Sequence, residues 1–370
     1  MKFVILKNKL LDNLNYVSKA LSSKTLIPVL MGIKFELNEK GLTLLASDTD
    51  ISIQAFIDKK DIASINNAGS IVIQGKYIVE IIKKMPNTLI ELEVVDNYNL
   101  VISAEDSNFN LHGMNPNEFP DLYMEKTKEP LVLSCNTLKE IINQTLFASS
   151  VDESRPILTG LNLKISNGVI DAIATDSYRL AKKEINIDID SSVNINIVIP
   201  ARNLLELCKI IGDEENLELH LFNNKILFHW ENILFQSRLL SGKYPATSDI
   251  IPNDFAISLE VSYTKLYEMI DRVSLLTSEK DKNIINMKLN NGELNISSNS
   301  PEIGRALEKL DVDNDNSINI SFSSKYMLDA IKSFGTEKIL LLMNTDVTPI
   351  ILKSEQDSSL TQLILPIKTY

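Results

Sequence analysis

Several features that often assign a function are scarce in this sequence of 370 residues. Its two cysteines, Cys135 and Cys208, are too few for a disulfide framework and fit reduced, structural thiols. No apolar run approaches the roughly 20 residues that cross a bilayer. Charges at Lys7, Lys9 and Asp12 interrupt the apolar core that a signal peptide would need. We therefore expect a cytoplasmic protein without a membrane segment.

Motifs that identify common enzymes are also missing. The sequence has no P-loop, no dinucleotide-binding fingerprint and no GxSxG nucleophile elbow. Its three histidines, His112, His220 and His229, are scattered and lack the spacing of metal ligands. We predict no metal site, no cofactor and no catalytic residue, and we interpret His220 and His229, which lie in strand-like runs, as structural.

Positive charge is in the minority, with 37 Lys and Arg residues against 49 Asp and Glu residues and a net charge of −12. An even distribution of these charges would argue against nucleic acid, because phosphate binding needs a basic surface. The content of 44% hydrophobic and 23% charged residues is ordinary for a globular protein with a large core. The length suggests two to four domains. The position of the basic residues along the chain therefore decides whether nucleic acid is excluded.

The most informative feature is an internal repeat. Residues 3–50 match residues 131–178 at a constant offset of 128, so that Leu10 aligns with Leu138 and the segment ASDTD aligns with ATDSY. A gapless register over about 50 residues indicates duplicated domains, since solenoid repeats have shorter periods.

A second block occurs three times, as IQGKYIVEIIKK from Ile73, IPARNLLELCKI from Ile199 and FSSKYMLDAIKS from Phe322. Each copy follows a β-rich run and carries a base, an acid four residues later and a base three residues after that. The three sets are Lys76, Glu80 and Lys83; Arg202, Glu206 and Lys209; and Lys325, Asp329 and Lys332. The third copy of the first block, at 255–276, is weaker but again has the pattern of a strand followed by a helix.

These patterns predict an α+β fold of three repeated domains, each with two helices packed on antiparallel sheets. Apolar residues recur at helical spacing in the predicted helices, and the strands alternate, as in LTLLA and LELHLF. Asn-Gly turns at 167–168 and 291–292 indicate hairpins, and consecutive hairpins favour antiparallel sheets over parallel βαβ units. The predicted domains are 1–125, 126–251 and 252–370.

Basic residues are concentrated on the predicted helices, which carry a net charge of +6 and leave −18 on the rest of the chain. One interpretation is that Lys and Arg are good helix formers on solvated faces, with acids placed for intrahelical pairing. The repetition favours a second interpretation, in which equivalent helices line one surface and attract phosphates without reading base sequence. The six predicted helices over which the net charge of +6 is summed are residues 7–23, 76–85, 137–148, 202–211, 263–276 and 324–334.

Four carboxylates would suit a metal-dependent nuclease, namely Asp48, Asp50, Asp176 and Asp346. Asp48 and Asp176 occupy equivalent positions of the repeat near strand ends, where Asp caps turns. We therefore favour turn capping over catalysis for these residues and expect no enzyme activity.

Four segments, in order, carry a family resemblance. ATDSYRLA at 174–181 is similar to a TD-x-x-RLA signature, and LLSGKYPATSDIIP at 239–252 to a G-[KR]-[FY]-P-x(5)-[IV]-P segment. Both patterns belong to the bacterial DNA polymerase sliding clamps, the beta subunits of the replicative polymerase. DESRPILTGL at 152–161 and the C-terminal TQLILPIKTY resemble the Gram-positive form. The resemblance covers the whole chain and implies a non-enzymatic processivity factor, a ring around double-stranded DNA without sequence specificity.

The resemblance implies a head-to-tail homodimer, in which the first domain of one chain contacts the third domain of the other. The matching interface positions are Phe109, Leu111, Leu275 and Leu276, for which plain core packing is the alternative. The DNA-facing basic residues that we predict are Lys24, Lys76, Lys83, Lys139, Arg202, Lys209, Lys265, Lys325 and Lys332. The loop of Asp152 and Glu153 is more acidic than a DNA contact requires.

The resemblance also implies a cleft between the second and third domains. It would hold a short, extended peptide with apolar anchors from the replicative polymerase, the clamp loader or repair proteins. The matching positions are Leu158, Thr175, Ser177, Tyr178, Arg179, Leu180, Pro245, Ile250, Tyr326, Val347, Pro349, Leu363, Leu365, Pro366 and Ile367. Core packing is the alternative for the leucines and isoleucines, whereas Tyr178 and Arg179 follow a turn and are expected at the surface.

Two positions in this region depart from the family pattern. Asp249 stands where many clamps carry a base, and Ser323 stands where Asn is common. We expect both to affect partner preference at the rim of the cleft.

Three alternatives stay open at this point. The trimeric clamp of eukaryotes and archaea has two domains per chain, and the third repeat argues against it. An acidic repeat protein that only scaffolds other proteins would not be retained on DNA. A metal-dependent nuclease would cut DNA when given Mg²⁺ or Mn²⁺.

Overall fold

The computed structural model describes residues 1–22, 25–189, 193–212, 216–247, 250–278, 280 and 282–368, apart from the side chain of Asn97. Six α-helices lie in this part of the chain, two for each repeat, as predicted. They are α1 (Lys7–Val17), α2 (Gly75–Lys84), α3 (Cys135–Thr145), α4 (Ala201–Cys208), α5 (Tyr263–Ser274) and α6 (Ser324–Lys332). None of the described helices is both long and apolar enough to span a membrane.

Strands make up most of the remaining structure. In the first third of the chain they are β1 (Lys2–Leu6), β2 (Gly32–Asn38), β3 (Gly41–Ser47), β4 (Ile51–Asp58), β5 (Ile62–Asn67), β6 (Gly69–Gln74), β7 (Leu89–Val95), β8 (Asn99–Ala104) and β9 (Ser107–His112). In the middle they are β10 (Leu131–Ser134), β11 (Gly160–Ser166), β12 (Val169–Thr175), β13 (Arg179–Asn186), β14 (Ile195–Pro200), β15 (Asn216–Leu221), β16 (Lys225–Trp230) and β17 (Ile233–Arg238). In the last third they are β18 (Ile257–Ser262), β19 (Ile284–Asn290), β20 (Glu293–Ser300), β21 (Gly304–Asp311), β22 (Ile318–Ser323), β23 (Lys338–Met343), β24 (Ile350–Lys353) and β25 (Leu360–Ile364).

The chain divides into two compact units, of which the first comprises residues 1–138 and 202–239. It contains a five-stranded sheet in the order β5-β1-β7-β8-β9 and an eight-stranded sheet in the order β10-β15-β16-β17-β4-β3-β2-β6. Helix α1 packs against α2 and against β4. Its apolar residues Leu10, Leu14 and Val17 are buried at helical spacing, which accounts for the seating of this helix on the sheet.

The second unit comprises residues 139–201 and 240–370. It contains an eight-stranded sheet in the order β14-β11-β12-β13-β25-β24-β23-β18 and a four-stranded sheet in the order β21-β20-β19-β22. Helices α5 and α6 pack against each other. They bury Leu266, Ile270 and Ile331 in a core that both sheets of this unit share.

Each eight-stranded sheet combines strands from two of the sequence repeats. In the first unit β17 pairs with β4, which sets Phe235 opposite Ile53. In the second unit β13 pairs with β25, which sets Leu180 opposite Leu363. All the strand pairs are antiparallel, so the prediction of an α+β fold with antiparallel sheets is confirmed. The compact units do not coincide with the repeats, and the domain boundaries at 125 and 251 stay a prediction.

Candidate functional site

A tight turn between β12 and β13 carries several predicted cleft residues. The Asp176 Oδ1 atom accepts hydrogen bonds from the backbone N–H groups of Tyr178 (2.9 Å) and Arg179 (3.0 Å). The Thr175 hydroxyl donates to the carbonyl oxygen of Arg179 at 2.6 Å. Ser177 adopts a φ of 78°, which is uncommon for a residue with a side chain. The turn therefore holds Tyr178 and Arg179 in one fixed orientation.

The same turn recurs at the equivalent position of the first repeat. Asp48 accepts hydrogen bonds from the backbone N–H groups of Asp50 (3.0 Å) and Ile51 (2.8 Å), and Thr49 has a φ of 82°. Asp48 and Asp176 thus cap turns, and that interpretation is confirmed. Neither belongs to a cluster of three metal-ligating side chains in the described part of the chain.

Arg179 lies at the centre of a network of charges and rings. Its Nε atom is 3.1 Å from Asp176 Oδ2, and its Nη1 atom donates to Asp329 Oδ2 at 2.7 Å. The guanidinium carbon lies 4.4 Å from the ring centre of Tyr326 and 5.4 Å from that of Phe147. Two carboxylates and two aromatic faces stabilise the charge of a side chain that is only 11% exposed.

The surface prediction for Tyr178 and Arg179 is therefore half right. Tyr178 is 61% exposed, as expected of a residue that follows a turn. Arg179 is mostly buried, because Asp329 and Tyr326 of helix α6 pack against it. The local sequence could not indicate this, since α6 is remote from Arg179 along the chain. Burial, together with the nearby carboxylate of Asp176, raises the pKa of the Tyr326 hydroxyl.

The C-terminal segment closes one side of an open cavity of about 660 Å³. The backbone N–H of Leu365 donates to the Tyr178 carbonyl oxygen at 2.9 Å, and that of Ile367 donates to the Ser321 carbonyl oxygen at 2.7 Å. The cavity is lined by the predicted cleft residues Tyr178, Tyr326, Leu365, Pro366 and Ile367, and by Ser323, Lys282, Asn283, Lys325 and Lys368. Aromatic and aliphatic walls with a few polar groups suit an extended apolar peptide.

The other predicted cleft residues do not line this cavity. Leu158, Leu180 and Leu363 are buried in one apolar cluster, as the core-packing alternative expects, and their place in the cleft stays a prediction. Thr175 is buried, Arg179 and Pro349 are partly buried, and the remaining members, Ser177, Pro245, Ile250 and Val347, are exposed. Asp249 lies outside the described residues, whereas Ser323 is buried and accepts a hydrogen bond from the Tyr326 N–H at the start of α6.

Most of the predicted DNA-facing residues are solvent-exposed. Lys24 lies outside the described residues, and Lys139 is partly buried. The exposed members are Lys76, Lys83, Arg202, Lys209, Lys265, Lys325 and Lys332. Each unit therefore carries exposed cations on its helices, although the residues that face DNA stay a prediction.

The acids of the three base-acid-base sets have different partners. Glu206 pairs at 2.8 Å with Lys209, the residue after the end of its own helix, and Glu80 lies 4.0 Å from Lys83. Asp329 instead pairs with Arg179 on β13. In the first two sets the acid thus has a basic partner three residues later, whereas in the third set the acid binds an arginine from another strand.

The four predicted interface residues lie outside the buried core of their units. Phe109 is 41% exposed on β9, and Leu275 is 75% exposed just after α5. Leu111 and Leu276 are partly buried. The exposure of Phe109 and Leu275 argues against the core alternative for these two residues, and the role of all four in an interface stays a prediction.

Sequence reasoning missed one cluster of ionisable side chains. Glu218 and His220 lie two residues apart on β15, and His229 lies opposite Glu218 on β16, with Nδ1 2.6 Å from Glu218 Oε2. The spacing of Glu218 and His220 along one strand was visible in the sequence, but the hairpin register was not.

This cluster is a poor metal site. The Thr127 N–H donates to His220 Nδ1 at 3.0 Å, which puts the proton of the neutral ring on Nε2, the atom that faces Glu218 at 3.3 Å. Burial lowers the pKa of His220, which favours this neutral form. The Lys126 ammonium group also lies 2.9 Å from His229 Nε2 and would repel a cation.

Comparisons with known proteins cover the whole chain. The family models of the DNA polymerase III beta subunit match residues 1–123 for the N-terminal domain, 132–246 for the central domain and 248–368 for the C-terminal domain. Beta sliding clamps of Bacillus subtilis and Staphylococcus aureus are each 39% identical, over 100% of both chains. The crystal structure of the Bacillus subtilis clamp superimposes with a TM-score of 0.96 at 38% identity, and that of the Streptococcus pneumoniae beta chain with 0.94 at 32%, both over 100% of each chain.

The repeats, the antiparallel sheets and these matches agree over the full length of the sequence. The chain therefore belongs to the DNA polymerase III beta subunit family, the bacterial sliding clamps, which are processivity factors and non-catalytic subunits of the polymerase.

Proposed function

We propose that two copies of this chain close head to tail around duplex DNA, and that each copy tethers partner proteins through the cavity between Tyr178, Tyr326 and the C-terminal segment. The observation that carries the tethering role is this open cavity with apolar and aromatic walls. A polymerase held there stays at high effective concentration near its template, which raises processivity without chemistry.

The proposed partners are the replicative polymerase, the clamp loader and repair proteins, each through a short peptide with apolar anchors. Leu365 and Ile367 offer apolar side chains at one wall, and Tyr178 offers an exposed ring at another. Leu365 packs against a buried cluster that includes Leu158, Leu180 and Leu363. We also propose that the protein acts in the cytoplasm and has the three domains 1–125, 126–251 and 252–370.

We propose one cleft per chain, because the equivalent place in the first unit is polar. Asn203 aligns with Tyr326 in the repeated block, but it is buried and donates to the Ser237 hydroxyl at 2.8 Å. The hydroxyls of Ser47 and Ser52 are hydrogen-bonded to each other at 2.8 Å nearby. These satisfied polar pairs replace the apolar anchoring surface of the second unit.

For ring closure we propose that strand β9 of one chain meets strand β21 of the next. Both strands lie at the edge of a sheet and pair with a single neighbour in the described part of the chain. Unpaired edges of this kind are ready to accept another strand. Phe109 on β9 and Leu307 on β21 expose large apolar side chains, and Leu275 adds a third.

For DNA we propose that the exposed helical lysines and arginines face the phosphates across water, which permits sliding. The test uses clamps loaded onto a nicked circular plasmid by a loader with ATP. Intact circles should retain the protein, and linearised plasmid should lose it. Equal retention on both forms, or on neither, would contradict a topological tether; the second result is that of a scaffold. Cleavage of the plasmid with Mg²⁺ or Mn²⁺ would indicate a nuclease.

A further inference from the structure

Two imidazole rings of the hairpin formed by β15 and β16 hold the stretch of chain that leads into β10. The Thr127 N–H donates to His220 Nδ1 at 3.0 Å, and the Lys126 ammonium group lies 2.9 Å from His229 Nε2. We call residues 124–128 the connecting segment, because it lies between the first repeat and the second. Its attachment to the hairpin therefore involves two groups that titrate near neutral pH.

The matching strand of the second unit has no ionisable residue at these positions. Ser134 and Ser262 are the last residues before α3 and α5, and they lie opposite Asn216 and Lys338 on the neighbouring strands. This register aligns β15 with β23. The corresponding residues are Glu218 and Leu340, and His220 and Leu342.

The second unit uses these leucines to hold its own stretch of chain. Leu342 is buried in an apolar cluster, and Leu340, Ile251 and Phe255 pack against that cluster. The chain that leads into β18 is thus covered by apolar contacts, which do not depend on pH. An apolar pair fills this place in one unit, so the ionisable pair in the other is not required by the fold of the repeat.

The contact with Thr127 requires the neutral form of His220. In that form Nδ1 accepts from the Thr127 N–H, whereas an imidazolium ring carries a proton on both nitrogens. The Thr127 hydroxyl, 2.9 Å from Nδ1, can turn to accept a proton, but the backbone N–H cannot. His220 is only 1% exposed. This burial lowers the pKa of His220, so that the bound segment disfavours the charged ring.

Three charged or titratable groups face His220. Glu218 of the same strand lies 3.3 Å from Nε2 and attracts an imidazolium ring, and His229 of β16 lies beside Glu218. Both stay on the hairpin whether or not the connecting segment is bound. Lys126 belongs to the segment, and its charge opposes protonation of His220 only while the segment is in place. Strand β10, the other neighbour of β15, has no ionisable residue.

We propose that His220 is a pH-dependent latch, which holds the connecting segment on the hairpin near neutral pH and lets it detach in mildly acidic solution. All the groups involved lie in the first unit. The proposal is therefore independent of the ring and of the peptide cleft proposed above. It makes the order of the chain between the first two repeats depend on the protonation of one side chain.

The direction of the effect follows from the two pKa values of His220. The detached form exposes the ring, whose pKa is then that of an ordinary histidine, about 6.5. Above that pH the attachment keeps its full stability. Below it the detached form binds a proton that the attached form excludes, and the equilibrium changes by at most tenfold per pH unit. Between about pH 7.5 and about pH 5.5 the detached fraction should rise about three- to tenfold.

Limited proteolysis of the full-length protein with endoproteinase Glu-C measures this fraction. The protease cleaves after Glu125 and Glu129 when the chain around them is free to enter its active site. A synthetic peptide of residues 121–131 gives the intrinsic rate at each pH, and the ratio of the two rates removes the pH dependence of the protease. Glu105, in the exposed turn between β8 and β9, is the control site, and its ratio should stay constant.

Variants assign the effect to His220. His220→Asn keeps a side-chain acceptor for the Thr127 N–H but does not titrate, so its cleavage ratio should be the same at both pH values. Glu218→Leu together with His220→Leu introduces the residues of the second unit and should also remove the rise. His229→Asn should keep the rise. His112→Asn is the matched control, because His112 lies on β9 and is hydrogen-bonded to Asn99.

A ratio that stays constant in the unmodified protein from about pH 7.5 to about pH 5.5 would rule out the latch. A rise that persists in His220→Asn, or one that disappears in His229→Asn, would assign the effect to another group. An equal rise at Glu105 would show that the whole unit loosens, which also overturns the proposal. If both His220 variants fail to fold, NMR titration of the three histidine rings decides. A His220 ring that titrates no lower than His112 would contradict the latch.

Discussion

The guanidinium of Arg179 donates to the carboxylate of Asp329 at 2.7 Å and so joins the turn after β12 to helix α6. Asp329 is the acid of the third base-acid-base set, and its partner in this pair comes from another strand, whereas Glu206 pairs with Lys209, three residues further along the chain. The same helix carries Tyr326, whose ring lies 4.4 Å from the guanidinium carbon. One arginine thus positions both a charge and a wall of the cavity.

The first prediction concerns this arginine. Arg179→Met should lower the free energy of unfolding by about 2 kcal/mol, because Asp329 and Asp176 lose a charge-assisted partner in a largely buried place. It should also weaken binding of a short, extended apolar peptide at the cavity, since Tyr326 loses the contact with the guanidinium. Urea unfolding and fluorescence anisotropy measure the two effects. Arg238→Met is the control, because Arg238 is exposed and lies 3.9 Å from an exposed Asp50. Unchanged peptide binding by Arg179→Met would show that the arginine does not position Tyr326.

Local features of this site could be predicted from the sequence. The turn capped by Asp176 depends on residues within a few positions, and the repeat showed the same chemistry at Asp48. The burial of Arg179 could not be predicted, because Phe147 and Tyr326 reach it from distant parts of the chain. Tyr178 and Arg179 are adjacent in the sequence, yet Tyr178 is exposed and Arg179 is mostly buried, and no local pattern predicts this difference in exposure.

The sheets show the same division between local and distant information. Alternation along LELHLF places Glu218 and His220 on β15, but only the hairpin register brings His229 to Glu218. The pairing of Leu180 with Leu363 joins strands far apart in sequence, so no local pattern indicates it. The prediction of a cleft came from the family resemblance and not from the residue pattern.

The second prediction concerns Lys183, whose side chain is only 2% exposed. Its Nζ atom lies 2.5 Å from Glu140 Oε1 and 3.0 Å from Asp357 Oδ2. Lys183→Met should lower the free energy of unfolding by about 2 kcal/mol at neutral pH, because the partly buried carboxylate of Asp357 and the exposed carboxylate of Glu140 lose their cation. Lys164→Met is the matched control, since Lys164 is an exposed lysine on β11 of the same sheet, and it should change stability little. Equal stability of the two variants in urea unfolding would contradict this role of Lys183.

The third prediction is the pH dependence of the same group. Burial alone would raise the pKa of Asp357, but hydrogen bonds from Ser359 and Lys183 outweigh it and hold the pKa below its ordinary value. A carboxyl group of this kind stabilises the folded state above its unfolded pKa, and the contribution is lost as the pH falls through the folded pKa. Asp357→Asn should therefore destabilise at neutral pH, and its difference from the unchanged protein should diminish below about pH 4. A difference that stays constant between about pH 3 and pH 7 would refute this account.

The fourth prediction tests the proposed ring contact. Leu275→Lys together with Leu276→Lys should yield monomers, because charges would replace apolar side chains at the proposed contact. Sedimentation equilibrium measures the mass. Val132→Lys is the control, since Val132 is an exposed apolar residue on β10, outside the proposed contact. A dimer that persists in the double variant at micromolar concentration would rule out this interface.

The last prediction separates the cleft from the ring. Deletion of residues 365–370 removes Leu365, Pro366 and Ile367 from the wall of the cavity, together with the N–H bonds to Tyr178 and Ser321. The strand β25 ends at Ile364 and keeps its pairing with β13, so the fold of the second unit should survive. We therefore expect polymerase and peptide binding to be abolished, while sedimentation still reports a dimer. The single substitution Ile367→Ser leaves the backbone in place and should weaken binding less than the deletion does. Full peptide binding by the truncated protein would place the cleft elsewhere, because the wall formed by Leu365, Pro366 and Ile367 would be missing.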